Sequence, residues 1–180
     1  MISSPDGSVQ VTVNVTDHGS PVYTVAYHKA EVIQTSRLGL RLADADYTQG
    51  LALTNAGKAQ RVTDAYTLAN DKRANCRYET NRQELTFAGS KGRKINIIFP
   101  ISNDGVAFRY LLPGKSDEVQ RVLSESTIFH LPAAARAWLH PHAVAQTGWA
   151  NTQPSYKENY QMGRAGRFQP SFKQAENGYC

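Results

Sequence analysis

Four valines set two residues apart constrain this chain more than any other feature. Val9, Val11, Val13 and Val15 alternate with Gln10, Thr12, Asn14 and Thr16. Successive side chains of a strand point to opposite faces, so this segment has one apolar and one polar face, and a helix would scatter the valines around its axis. Asp17-His18-Gly19-Ser20-Pro21 then supplies turn chemistry and residues 22–28 return, which predicts an opening hairpin.

The same pattern recurs. A short third strand fits around residues 38–42, and residues 44–60 read as polar, with a turn at Asn55-Ala56-Gly57-Lys58. A meander follows over residues 63–69, 74–80, 84–89, 94–100 and 106–112. Its predicted turns are Asn70-Asp71-Lys72, Asn81-Arg82-Gln83, Gly89-Ser90-Lys91-Gly92 and Asn103-Asp104-Gly105. Strands recurring at about 8–12 residues predict an all-β, antiparallel two-sheet β-sandwich. Residues 118–132 continue as one or two strands, and residues 133–138 offer a short turn. The expected organisation is a single domain over residues 1–180, loop-rich and weakly defined over 139–180. The last ~25 residues show no closing strand, so the sandwich is expected to be incomplete at its C-terminal end.

Composition narrows the class. With 41% hydrophobic and 19% charged residues over 180 positions, the chain is long enough for one packed core. The net charge is +5, but Lys72-Arg73, Arg93-Lys94, Arg164 and Arg167 are scattered, which argues against nucleic acid. No apolar run approaches the ~20 residues of a membrane span, and Ser3-Ser4-Pro5-Asp6-Gly7 is a turn, not a secretory leader. Cys76 and Cys180 lack metal or redox spacing and read as free thiols.

Signals for chemistry are sparse. His140 and His142 could both reach a metal, as in a cupin-like enzyme, but Pro141 between them suggests a loop and no third ligand follows. The Gly89–Lys94 stretch lacks Walker spacing and leads into a strand, so a plain hairpin turn explains it. Glycoside hydrolysis needs two carboxylates flanking the bond, and no diagnostic pair of acids is visible. Glu125, in an alternating strand, reads as a structural carboxylate. Trp138, Trp149, Tyr156 and Tyr160 gather toward the C-terminal end; their rings could stack on sugars or pack the sandwich.

Taken in order, "SSPDGSVQVTVNV", "PVYTVAYHKAEVIQTSRLGL", "NDGVAFRYLLPG" and "VLSESTIFHLPAAARAW" resemble the N-terminal domain of glycoside hydrolase family 97, from about Ser3 to Trp138. That family includes bacterial α-glucosidases and α-galactosidases. The resemblance implies a galactose-mutarotase-like supersandwich that precedes a catalytic (β/α)₈ barrel, packs beside its active site and helps to shape it. The family's catalytic carboxylates lie on the barrel, so no catalytic residue is expected here. The longer enzyme would be periplasmic or secreted and act on oligosaccharides, with Trp138, Trp149 and Tyr156 as substrate-binding candidates. The resemblance also implies a calcium ion in the full-length enzyme, none for this chain alone, with one acidic ligand from this module. In Tyr156-Lys157-Glu158-Asn159-Tyr160, Lys157 stands where the acid is expected, leaving Glu158 as the candidate ligand. In such a module Val106, Phe108 and Tyr110 fill the sandwich and Arg109 pairs with a neighbouring carboxylate, Glu125 being the candidate. The alternative function is a free-standing β-sandwich that binds carbohydrate without cleaving it.

Overall fold

The first strands form as the valine pattern requires. The structure, a computed structural model, describes residues 1–70, 72–89, 92–114, 119–139 and 160–167, in two compact units, Met1–His130 and Leu131–Cys180. In the first unit β1 (Ile2–Ser3), β2 (Val9–Val15), β3 (Pro21–Tyr27) and β4 (Ala30–Arg37) make an antiparallel sheet in that order. Val9 and Val11 are buried, and Val13 and Val15 pack against the same core. Sequence reasoning overlooked β4, because the turn before it is His28-Lys29. Both residues hold left-handed φ, 48° and 69°, in a two-residue hairpin of the kind that usually carries Asn or Gly.

The second sheet is built on β8 (Asn75–Ala88) and β9 (Lys94–Ser102), flanked by β6 (Ala52–Ala56), β7 (Gln60–Thr67), β10 (Gly105–Val106) and β11 (Arg109–Leu111). Ile95, Ile97, Phe99 and Ile101 of β9 point inward and are fully buried, meeting Phe87, Leu85, Val11 and Val25 in one core. The two sheets thus close as an antiparallel sandwich. The expected break at Asn81-Arg82-Gln83 does not occur: residues 74–80 and 84–89 belong to one strand, bonded throughout to β7, β9 or β6. Those residues resemble a turn in type, but none is Gly or Pro, and the alternation runs through them. β6 corrects the polar reading of residues 44–60; its side chains are exposed, so it carries no alternation.

β5 (Leu40–Leu42) pairs with β12 (Val122–Glu125). In the second unit β13 (Arg136–Leu139) pairs with β14 (Gln161–Arg164), so the C-terminal stretch does contain a strand. No α-helix occurs among the described residues, and none is long and apolar enough to cross a membrane.

One polar junction ties the first unit's pieces together. Val106, Phe108 and Tyr110 pack against the core as expected. Tyr110 also takes the Gly39 N–H on its Oη at 2.8 Å and shares a 2.6 Å hydrogen bond with Thr127 Oγ1. Gly39 has φ 140°, and a Cβ there would lie 2.5 Å from the Tyr47 carbonyl oxygen. The Arg109–Glu125 pairing is not formed. Arg109 alternates outward from Tyr110 and is exposed opposite Ile98, whereas Glu125 is exposed opposite Leu40. Ion pairs among the described residues include Arg61–Glu79 and Arg93–Asp44.

Two outcomes follow in thermal or denaturant unfolding. Tyr110→Phe costs about 1–3 kcal/mol, because the Gly39 N–H loses its acceptor. Gly39→Ala costs more than about 2 kcal/mol, combining the clash with a φ that L residues rarely adopt.

Candidate functional site

Several concave regions occur among the described residues. An apolar groove of about 610 Å³ opens in the first unit, lined by Tyr23, Tyr27, Val32, Phe108 and Phe129 among others. Its rings form a connected set: Tyr23 lies 5.8 Å from Phe108 and 6.5 Å from Phe129 between ring centroids, and Phe108 lies 6.1 Å from Phe129. Tyr23 is nearly buried and its Oη donates to the Ile128 carbonyl at 3.1 Å, while Phe129 is 63% exposed. Burial pushes the Tyr23 phenol up, so it stays protonated and acts as a donor.

The rim of this groove is polar. Asn103 and Asp104 sit on the β9–β10 turn, and Asn103 Oδ1 accepts the Asp6 N–H at 3.1 Å. Asp6 in turn accepts from the Ser4 and Ser8 hydroxyls, both at 2.7 Å, and from the Ser8 N–H at 2.8 Å. Those bonds, led by the Ser8 hydroxyl, hold its carboxyl at about 2, down from 3.8. Asp104 is the sole carboxylate among the described lining residues, so the groove does not supply the acid–base pair that glycoside hydrolysis needs.

A second, polar cleft of about 660 Å³ lies between Asp44, Tyr47, Arg93 and Leu112. Arg93 Nη1 donates to Asp44 Oδ2 at 2.6 Å, an exposed pair that holds the Asp44 carboxyl below its usual range.

The third region belongs to the second unit and contains Trp138; of the other candidate aromatics Tyr160, 66% exposed, is also among the described residues. Pairing sets Trp138 opposite Met162 and Arg136 opposite Arg164, so all four share one face of the β13–β14 ladder. Trp138 is 56% and Met162 74% exposed, and they line a depression of about 440 Å³. Two guanidinium groups directly across a ladder repel each other, and no acid pairs with either among the described residues. An apolar ring flanked by planar donors suits a sugar ring or a carboxylate. Sequence reasoning found Trp138 but missed Arg136 and Arg164, because their adjacency depends on a register that β14 alone sets. Trp149, Tyr156, Glu158, His140, His142 and Cys180 lie outside the described residues. Cys76 is a free thiol. No group of three or more metal-capable side chains occurs among the described residues.

The model of a family described as Glycosyl-hydrolase 97 N-terminal matches residues 2–176. The chain is 31% identical over 160 residues to a Streptomyces bingchenggensis (strain BCW-1) protein named "Probable retaining alpha-galactosidase", covering 81% of this chain and 24% of that protein. Among solved structures, a beta-arabinopyranosidase aligns with a TM-score of 0.76 and 30% identity, over 89% of this chain and 26% of that one. A glycoside hydrolase family 97 enzyme from Pseudoalteromonas sp. strain K8 in complex with panose aligns with a TM-score of 0.72 at 20% identity, a likeness of fold, over 89% of this chain and 24% of that one. The chain spans about a quarter of the length of these relatives.

Asp6 gives a pH signature. Its folded value is depressed, so its contribution is complete above the unfolded value of 3.8 and is lost as pH falls through about 2. Melting temperatures of wild type and Asp6→Asn are therefore expected to differ at neutral pH and to converge as the pH is lowered to about 2.

Proposed function

The chain belongs to the glycosyl-hydrolase 97 N-terminal family, and from that premise we propose that it is the non-catalytic β-sandwich portion of a longer glycosidase, supporting a (β/α)₈ barrel and its active site. What supports this reading is the match over residues 2–176 in a chain about a quarter as long as its relatives. The hydrolytic carboxylates then belong to the barrel, and the sandwich contributes rigidity and a wall.

The substrate class follows from the relatives near 30% identity. One is named an alpha-galactosidase and the other a beta-arabinopyranosidase. A β-L-arabinopyranoside has the ring configuration of an α-D-galactoside without the exocyclic hydroxymethyl group. We therefore infer galacto-configured oligosaccharides, rather than α-glucosides, as the substrate of the longer protein. Its setting is the periplasm or the exterior. A calcium ion in the longer protein would take Glu158 as its one ligand from this portion and draw the rest of its about six to eight oxygens from the barrel.

A second reading, a sandwich that binds carbohydrate by itself, is favoured by the exposed Trp138 beside the Arg136–Arg164 pair. Hydrolysis of aryl α-galactosides, aryl β-L-arabinopyranosides and aryl α-glucosides by this chain and by the longer gene product separates the two. The expected result is turnover of the first two substrates by the longer protein and none by residues 1–180. Turnover by the short chain would sink the proposal, and glycan binding by it that Trp138→Ala abolishes would favour the second reading.

A further inference from the structure

Part of the second sheet is not used by the core. β8 pairs with β9 only from Asn81 onward, so residues 75–80 have β7 as their one ladder partner among the described strands. β7 and the first half of β8 therefore form a two-stranded ribbon that overhangs the sandwich. A free ribbon of this kind is marginal in water.

Its side-chain pattern is nevertheless that of a half-buried sheet. Register sets Tyr66 opposite Cys76, Asp64 opposite Tyr78 and Val62 opposite Thr80, and these residues share one face. The other face is polar. It carries the Arg61–Glu79 ion pair, 2.7 Å from Nη2 to Oε1, and a 3.3 Å hydrogen bond from the Thr67 hydroxyl to Asn75 Oδ1. Tyr66 is 50% and Tyr78 39% exposed. A tyrosine-bearing face, buried at its Thr80 end and carrying Asp64 as its one charge, on a ribbon with a single ladder partner lacks part of the surface that the alternation anticipates.

We propose that the Tyr66–Tyr78 face of this ribbon is a docking surface for the remainder of the longer polypeptide. The inference rests on the proposed function in requiring that remainder, which in the relatives is about three quarters of the chain. A second copy of this chain is a poorer occupant. Face-to-face pairing about a two-fold axis would bring two copies of Asp64 toward each other, and like charges resist that.

Cys76 reports on the face directly, because it is a free thiol opposite Tyr66. Alkylation of Cys76 by iodoacetamide in the longer protein, located by peptide mass, is expected to run about tenfold or more slower than in the same protein unfolded in denaturant. Tyr66→Asp and Tyr78→Asp should each restore most of that rate. Hydrogen exchange over residues 60–80 should rise in parallel, while the circular dichroism of the fold is retained. A Cys76 as reactive in the native longer protein as in the unfolded one overturns the proposal. So does protection that vanishes on dilution together with a dimer, which would identify a second copy as the occupant. If the longer protein hydrolyses glycosides while Cys76 reacts freely, this inference fails alone; if the gene encodes no further chain, both readings fail.

Discussion

Closure of the two sheets over β9 is the constraint on which the rest depends. Its four inward side chains, Ile95, Ile97, Phe99 and Ile101, are wholly excluded from water, and Ile98 on the opposite face is buried as well. At about 25 cal/mol per Å² of apolar surface, one strand buried on both faces contributes more than any ion pair on the surface. Tyr23 and Phe108 extend this layer toward the open groove. The Tyr110 junction then fixes where β11 and the β5 corner meet.

Among the described residues most well-buried positions are apolar, and the carboxylates whose pKa is held low are exposed and paired with hydroxyls or with Arg93. Among the described residues, exposed aromatic or cationic surfaces occur at the groove ending at Phe129, the Trp138 face and the tyrosine ribbon. Membership of the glycosyl-hydrolase 97 N-terminal family accords with such surfaces, because the chain accounts for about a quarter of its relatives.

The sandwich itself was legible because burial on one face leaves a period of two wherever it occurs. β2, β3 and β9 declared themselves in this way. β4 did not, because its turn is made by His28-Lys29, whose left-handed geometry is imposed by the strands they join. β8 was split at polar residues that read as a turn but continue the ladder, and β14 exists only through β13. Arg109 drew attention as a charge in an apolar strand, yet the polar work there is done by the phenol next to it. Partners chosen by distant register, such as Gly39 for Tyr110, leave no local trace.

The pairing of β5 with β12 has a consequence for how the chain is made. Leu40 and Leu42 emerge from the ribosome long before Glu125 and Val122, their partners in the ladder. The hairpins β2–β3 and β8–β9 can assemble from neighbouring residues during synthesis, whereas this seam must await a distant segment, and loop-closure entropy opposes it until then. The first unit thus carries an open flank until residues 122–125 have been made, and its seam closes after the local hairpins.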